Sequence, residues 1–389
     1  MGRTSMAIAL ATTALSMPVS AATIEVLFSD QTTDQVLYAA DLNNDGDAND
    51  AGEIRVFFDE NNASGLVTPT NNVFQLTQSE TGDVYVGDGS SDAVYRLRDL
   101  NGNSDAQDAG EASVWFSSDN ANGFALQTAN GVAVGGDGAL YIVEADTRAN
   151  PDGDVVYRTQ DLNGDGDAND AGESSVWLDL GALDASSSPF EIAFDGDTAF
   201  ITDTAGGSPR IYRAEDTDGS GVIDDTEVVE FVAQGDAPFA LALSASGGDL
   251  FAQDLFTDGL IRYTDLNGDG QIDILTEAFN VWNPTGFLDG AIFDFAIDGS
   301  QGLVPSNSFD DNDEIVSLFD INGDGDFLDV GETTSFLSFD EQGTFPLRPR
   351  SVAFYSSVAA PTPVPTPASA LLLISALAGL GVWRKQRAS

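Results

Sequence analysis

The chain of 389 residues carries 64 acidic and 14 basic side chains, a formal net charge of −50, and contains neither Cys nor His. Without these two residue types there is no disulfide framework, no Ser–His–Asp triad and no thiolate or imidazole metal site. A charge this negative repels phosphate backbones, so nucleic acid and anionic membrane surfaces are poor partners. The 42% hydrophobic fraction is still large enough for a sizeable core, which excludes a disordered acidic chain.

Residues 1–22 have the organisation of a secretory signal peptide. Arg3 lies near the start, an apolar run extends from Met6 to Met17, and small residues around Ala21 suit cleavage. The run is too short to span a membrane, and the alternative is a buried N-terminal helix. We therefore expect export across the inner membrane and a mature body that begins near residue 23.

The body, residues 23–357, repeats one unit six times. Acidic loops recur every 49 to 62 residues, beginning at Asp41, Asp99, Asp161, Asp216, Asp265 and Asp320. Each loop lies between two strand-like runs, and two further alternating runs with tight Gly/Asp turns precede them. We name the four runs of a unit strands A to D, with the acidic loop between C and D. Four short antiparallel strands in about 50 residues are typical of a propeller blade, so the sequence predicts an all-β, six-bladed β-propeller.

The two ends of the body predict how the ring closes. The first unit lacks strand A, whereas residues 350–354 at the end of the body match that strand. The last strand would then complete the first blade and remove the exposed edges that an open array leaves. This favours a closed ring over an open solenoid, and we expect a monomer.

The acidic loops have the spacing of EF-hand calcium loops, although strands and not helices flank them. In the loop at Asp161, oxygen-bearing side chains stand at positions one, three and five, Gly166 allows a sharp turn at position six, and Glu173 closes the loop at position thirteen. Carboxylates packed this densely repel one another unless a cation neutralises them. Solvated acidic turns are the alternative. We predict Ca²⁺ clips with a structural role, not helix-opening sensors.

The predicted ligands are side-chain oxygens of five loops. They are Asp41, Asn43, Asp45, Asp47, Asp50 and Glu53; Asp161, Asn163, Asp165, Asp167, Asp170 and Glu173; Asp216, Asp218, Ser220, Asp224 and Glu227; Asp265, Asn267, Asp269, Asp273 and Glu277; and Asp320, Asn322, Asp324, Asp326, Asp329 and Glu332. The loop at Asp99 should bind weakly or not at all, because Asn103 replaces the fifth-position Asp and Ser104 the Gly. About five Ca²⁺ ions per chain are therefore expected.

Aligned A strands place one side chain of each blade on the central channel, namely Ser351, Gln75, Gly131, Glu191, Ala240 and Asp294. The two acids, Glu191 and Asp294, are the candidates for a catalytic or cation-binding pair at a channel mouth, which we expect on the face opposite the calcium loops. Acids at the ends of the B strands, such as Asp88, either join them or cap the turns that follow. Without His, a general base would be a carboxylate or a metal-bound water.

The C-terminus has three parts. A Pro/Thr linker spans 358–367, and the segment 368–389 contains an apolar stretch to Trp383 followed by Arg384, Lys385 and Arg387. The short VPTPA motif at 364–368, the apolar stretch and the basic end together resemble the PEP-CTERM sorting tail, closest to its VPLPA variant. The resemblance implies a Gram-negative bacterium, export, processing by an exosortase-type enzyme, and a link to exopolysaccharide and surface biology. The alternative is a permanent transmembrane anchor with its basic end in the cytoplasm.

Together these features favour an exported, calcium-binding surface protein with a binding or extracellular-matrix role, whose partner is exopolysaccharide or another surface component. Membrane contact is expected through the tail alone. The alternative is a calcium-dependent hydrolase acting at the channel mouth, either phytase-like, an esterase or a lactonase. Six-bladed hydrolases of the gluconolactonase and paraoxonase kind, and β-propeller phytases, resemble this mouth in architecture only.

Overall fold

The computed structural model describes residues 24–66, 73–145, 153–204, 207–284, 292–306, 313–338 and 348–357. Within these residues, 24 strands form six four-stranded antiparallel sheets. The predicted six-bladed propeller is therefore confirmed. The predicted signal peptide and the C-terminal segment 358–389 lie outside the described residues. Among the residues that are described, we find no helix with the length and apolarity needed to span a bilayer.

The strands follow one another around the ring in chain order. Blade 1 contains β1 (Glu25–Asp30), β2 (Gln35–Ala40) and β3 (Ile54–Phe58); blade 2 contains β4 (Val73–Gln78), β5 (Val84–Asp88), β6 (Ala93–Leu97) and β7 (Ala112–Ser117); blade 3 contains β8 (Ala129–Val134), β9 (Leu140–Glu144), β10 (Val155–Thr159) and β11 (Ser174–Asp179). After the one-turn helix α1 (Leu180–Leu183), blade 4 contains β12 (Pro189–Asp195), β13 (Thr198–Asp203), β14 (Arg210–Ala214) and β15 (Val228–Val232). Blade 5 contains β16 (Leu243–Ser246), β17 (Asp249–Asp254), β18 (Gly259–Tyr263) and β19 (Ala278–Trp282); blade 6 contains β20 (Ala296–Asp298), β21 (Gln301–Ser306), β22 (Glu314–Phe319) and β23 (Thr333–Ser338); and β24 (Pro349–Phe354) returns to blade 1.

Blade 1 joins the two ends of the described chain, as the sequence predicted. β24 lies antiparallel beside β1, with Val352 opposite Phe28. Just beyond the strand, the Tyr355 backbone N–H donates to the Glu25 carbonyl at 2.8 Å. The inner edge of β1 is therefore paired, and the ring is closed by hydrogen bonds between its first and last strands.

The hydrophobic core lies between blades. Six clusters of buried side chains each combine residues of two neighbouring blades, and one of them packs Trp177 of blade 3 with Tyr212 of blade 4. Because both faces of a sheet are covered, burial need not alternate along a strand, and every residue of β9 is buried. Each blade thus depends on its neighbours for burial.

The register of the inner strands corrects one predicted channel position. Strand A meets the A–B turn at Asp195 in blade 4 and at Ser246 in blade 5. Counting back equally from those residues, Ala242 and not Ala240 corresponds to Glu191. The prediction of Ala240 aligned Pro238-Phe239 of blade 5 with Pro189-Phe190 of blade 4. That alignment was wrong because blade 5 has two more residues between this pair and the A–B turn. The remaining channel positions keep their predicted register.

Candidate metal centres

The six acidic loops join the two outer strands of each blade and share one backbone course. In the loop at Asp161 the first-position carboxylate accepts backbone N–H groups from Gly164 at 2.6 Å and from Gly166 at 3.0 Å. The bond from the sixth residue to the first recurs in every loop. The chain therefore wraps around its first Asp, which is the arrangement that directs alternate side chains toward one point.

The closing Glu of each loop is turned inward. Its exposure ranges from 1 to 9% across the six loops. In the third loop one Glu173 oxygen accepts N–H groups from Leu162 at 2.9 Å and Asn163 at 3.1 Å, and the other accepts from Asp170 at 3.3 Å. This Glu therefore ties both halves of the loop together and holds its carboxylate beneath the other acids.

Carboxylates converge inside these loops. The Asn163 side-chain nitrogen lies 3.1 Å from Asp165 Oδ2 and 2.6 Å from Asp170 Oδ2, and thus occupies the point toward which both carboxylates are directed. Rotation of this amide would bring its oxygen to the same point. Asp165, Asp167 and Glu173 place oxygens within 4.8 Å of one another, as do Asp216, Asp218 and Glu227, and also Asp320, Asp324 and Glu332. Such oxygen sets fit a hard cation like Ca²⁺.

The loop at Asp99, which we expect to bind weakest, keeps the same course. Ser104 adopts a φ of 62° at the position where the other five loops have Gly with φ between 81° and 106°. A serine in this left-handed region is strained, which agrees with a degraded loop. Nevertheless Asp105, Asp108 and Glu111 converge within 4.8 Å. A three-carboxylate cluster therefore persists in this loop despite the substitutions at positions five and six. Its weak binding of a cation stays a prediction.

All six loops make a contact that the sequence alone did not reveal. The backbone N–H of the eighth loop residue donates to strand D of the preceding blade, as Ala168 does to the Trp115 carbonyl at 2.8 Å and Ile223 to the Trp177 carbonyl at 2.7 Å. The other four pairs are Ala48 with Phe336, Ala106 with Phe57, Ile272 with Phe231, and Phe327 with Val281, at 2.7 to 2.8 Å. Every eighth side chain is at most 8% exposed. We call this contact the rim clasp; the apolar residue at position eight was the available signal.

Two arginines of the C strands, Arg96 and Arg262, lie close to the acidic loop of the next blade. Arg96 Nε lies 3.0 Å from Asp83 of its own blade, and its Nη1 lies 3.8 Å from Asp161 of the third loop. Arg262 donates to the Gly325 carbonyl in the sixth loop at 2.5 Å. These cations therefore partly balance the acids of the neighbouring loops.

The two channel acids are buried, so they do not lie at an open mouth. Asp294 is 2% exposed; its Oδ2 accepts from the Ser351 hydroxyl at 2.6 Å and the Val352 N–H at 2.9 Å, and its Oδ1 accepts from the Phe295 N–H. Burial raises the pKa of Asp294 to about 7, against the effect of these hydrogen bonds.

Glu191 is 0% exposed, and neither of its carboxylate oxygens has a hydrogen-bond partner. Burial, and next the neighbouring Asp294, hold the pKa of Glu191 well above its ordinary value, while Arg350 acts in the opposite direction. The structure therefore brings the two predicted channel acids within electrostatic reach of one another and adds Arg350, which sequence reasoning did not place there.

An axial cavity of about 190 Å³ lies beside these acids. Inner strands of all six blades line it, and Asp294 contributes to its wall whereas Glu191 does not. A second cavity of about 350 Å³, lined by A–B turns of blades 2 to 4, shares Val134 and Phe194 with it. The space therefore extends toward the A–B turns, which lie on the same face as the acidic loops because the strands alternate in direction. The expected placement on the opposite face was wrong for this cavity.

Acids at the ends of the B strands hold turns and connections. Asp88 accepts the Ser91 N–H at 2.8 Å, Asp254 accepts the Phe256 N–H at 3.0 Å, and Glu144 accepts the Gln127 N–H at 2.9 Å. These bonds agree with the turn-capping alternative and not with an acidic ring.

No protein-family model matches the chain, and no curated protein matches it. Among solved structures, the chain is similar to a chain of the nidogen/laminin complex, with a TM-score of 0.56 and 14% identity over 86% of this chain and 99% of that one. It is also similar to virginiamycin B lyase from Staphylococcus aureus, with a TM-score of 0.45 and 16% identity over 76% and 77% of the two chains. A third is the calcium-binding protein regucalcin from Agrobacterium tumefaciens, with a TM-score of 0.43 and 12% identity over 66% and 73%. At these identities the likeness shows the fold alone.

Proposed function

We propose that this protein is an exported, calcium-clasped β-propeller with a binding or extracellular-matrix role at the cell surface. The observation that carries the proposal is the rim clasp, because it connects every acidic loop to the adjacent blade. An ion that fixes a loop would fix the eighth residue as well, and so strengthen the contact between two blades.

The acidic side chains of each loop would hold the ion, with the buried closing Glu as the anchoring ligand. When bound, Ca²⁺ would neutralise mutually repelling carboxylates. Binding to the folded chain only would stabilise it by about 2.7 kcal/mol per site at an ion concentration 100-fold above Kd. Several such sites around one ring suit a rigid scaffold in a calcium-containing medium.

The surface role is supported by the sequence of the two ends. The leader at 1–22 and the tail resembling a PEP-CTERM segment favour export, processing by an exosortase-type enzyme, and delivery to the cell surface or exterior. The acidic surface opposes nucleic acid and leaves the tail as the means of membrane contact. An exopolysaccharide or another surface component is the partner that we propose.

Calorimetry with and without chelator tests the calcium part of the proposal. We expect EGTA to lower the melting temperature of the purified protein, and Ca²⁺ but not equimolar Mg²⁺ to restore it. Glu173→Gln should remove one Ca²⁺ per chain in a titration, whereas Glu60→Gln, which changes an exposed acid outside the loops, should remove none. An unchanged melting temperature in EGTA would rule out a structural role for calcium in the acidic loops. Retention of the calcium-loaded protein on purified exopolysaccharide tests the partner.

A calcium-dependent hydrolase is the second candidate, because Asp294 lines the axial cavity and its raised pKa suits proton transfer near neutral pH. A panel of phosphate ester, carboxylic ester and lactone substrates on the calcium-loaded protein tests it. Activity that disappears in Asp294→Asn would support the hydrolase, and the absence of turnover on every substrate would remove it.

A further inference from the structure

The inner strands are joined on the propeller axis by a repeating hydrogen bond. The side chain at the axial position of one blade accepts the backbone N–H of the residue that follows the axial position in the next blade. Thus Asp294 accepts from Val352 at 2.9 Å, Ser351 accepts from Leu76 at 2.9 Å, and Gln75 accepts from Val132 at 2.6 Å. Three consecutive blade contacts, from blade 6 to blade 3, are fastened in this way.

Glu191 occupies the same axial position in blade 4 and breaks the pattern. Its backbone N–H is satisfied by the Thr202 hydroxyl at 2.9 Å, but its wholly buried carboxylate accepts no hydrogen bond. Placing an ionised carboxylate in the interior without a partner costs several kcal/mol, so Glu191 must either carry a proton or face a positive charge.

Arg350 alone does not supply that charge. Its side chain carries one positive charge near the axis, stacks over the Phe293 ring at 5.2 Å, and interacts with both Glu191 and Asp294. When both acids are ionised, two carboxylates face this one guanidinium, and one negative charge stays uncompensated among the described residues. Blade 5, which separates the two acids in the ring, contributes only the methyl group of Ala242 at the axial position.

We propose that Glu191 and Asp294 hold one small hard cation such as Ca²⁺ on the propeller axis, in a closed structural site. This site is separate from the six acidic loops between strands C and D, which we call the rim loops. Glu191 offers two oxygens without hydrogen bonds, and Asp294 Oδ1 retains one lone pair beside the bond that it accepts. Oxygen ligands of this kind suit a hard cation. Because Glu191 is wholly buried and does not line the axial cavity, the ion would be held without an open position for substrate and would exchange only when the inner strands separate.

This closed position provides the test. The full-length protein is unfolded, refolded in Ca²⁺ and dialysed against EGTA at neutral pH, and bound metal is counted by plasma mass spectrometry. Ions in the exposed rim loops should be removed, whereas the axial ion should remain. We expect about one metal equivalent in the wild type and in the rim variant Glu173→Gln, and none in Glu191→Gln.

A wild type that retains less than about a tenth of an equivalent after refolding in Ca²⁺ would overturn the proposal, as would equal retention by Glu191→Gln. The melting temperature is a second measurement, and Asp294→Asn is a second variant. If the ion is present, both Glu191→Gln and Asp294→Asn should melt below the wild type in EGTA. If a proton instead neutralises Glu191, Glu191→Gln should melt at the same temperature or higher, which overturns the proposal. Because the count is made after the rim loops are stripped, its outcome is independent of whether those loops bind calcium.

Discussion

Truncating Ile223 to Ala tests whether the rim clasp holds blades together. Ile223 is the eighth residue of the fourth loop, is 6% exposed, and packs in the cluster between blades 3 and 4 that contains Trp177. The substitution leaves the loop's ligand residues and the hydrogen bond from residue 223 to the Trp177 carbonyl in place. It therefore removes the apolar part of one clasp and nothing else.

The expected cost follows from the buried surface that is lost. Ile→Ala deletes three carbon groups at about 0.8 kcal/mol each, and a residual cavity adds to this, for a total of about 2–4 kcal/mol. Urea unfolding at saturating Ca²⁺, followed by tryptophan fluorescence, measures the difference. The fluorescence is informative because Trp177 itself is only 2% exposed and lies in the same cluster.

Leu162→Ala is the matched control. Leu162 is also an aliphatic loop residue, but it is 65% exposed and should cost less than about 0.5 kcal/mol. If Ile223→Ala and Leu162→Ala were equally stable, the eighth residue would contribute nothing to the contact between blades, and the reasoning that links loop order to blade contact would be refuted.

Three further predictions concern backbone strain, close packing and buried charge. Ser104→Gly should stabilise the protein by about 1 kcal/mol, because it relieves left-handed backbone strain, and should therefore raise the melting temperature. A lower melting temperature in calorimetry would contradict the strain assigned to this loop. Gly131→Ala should destabilise by about 1–3 kcal/mol, since a Cβ there would lie 3.0 Å from the β12 backbone; thermal unfolding measures it, and a neutral effect would show that β12 can move. The Arg210 side chain is 6% exposed and pairs with Asp184 and two other carboxylates. Arg210→Met should therefore lower the free energy of unfolding by about 3–5 kcal/mol. The Ser186 N–H and hydroxyl, and then Arg210, lower the pKa of Asp184 to about 2, so its stabilising effect is present above its ordinary value of 3.8 and is lost as pH falls toward 2; acid unfolding in EGTA should show a smaller loss for Arg210→Met.

Repetition made most of this fold predictable. Each blade repeats the same order of apolar runs, turns and acidic loop, and the missing strand of the first unit matched residues 350–354 at the other end. The course of the acidic loops was also predictable, because alternate oxygens before a Gly specify a turn around one point, whereas their role as ligands stays a prediction. The structure confirms the blade count and the closure between β1 and β24.

What the sequence did not reveal depends on contacts between units. The shift from Ala240 to Ala242 arises because the inner strands align on the A–B turn. How many residues precede the paired part of the strand differs between blades, and the sequence pattern does not show it. The clasp from Ala168 to Trp115 and the unsatisfied carboxylate of Glu191 involve neighbouring blades, which pattern within one repeat does not describe. The direction of the axial cavity failed for the same reason, because six inner strands shape it jointly.

The pairing of β1 with β24 has a consequence for how the chain matures and bears load. Synthesis from the N-terminus releases β1 long before β24, so blade 1 stays three-stranded until residues 349–354 emerge. A chain that ends at residue 347 should therefore be digested faster by protease than the full chain and should associate through the open edge of β1. Because residues 358–389 follow β24 so closely, tension from a tethered tail would enter the ring through its closing strand. The strand that finishes the ring would then also be the first to yield.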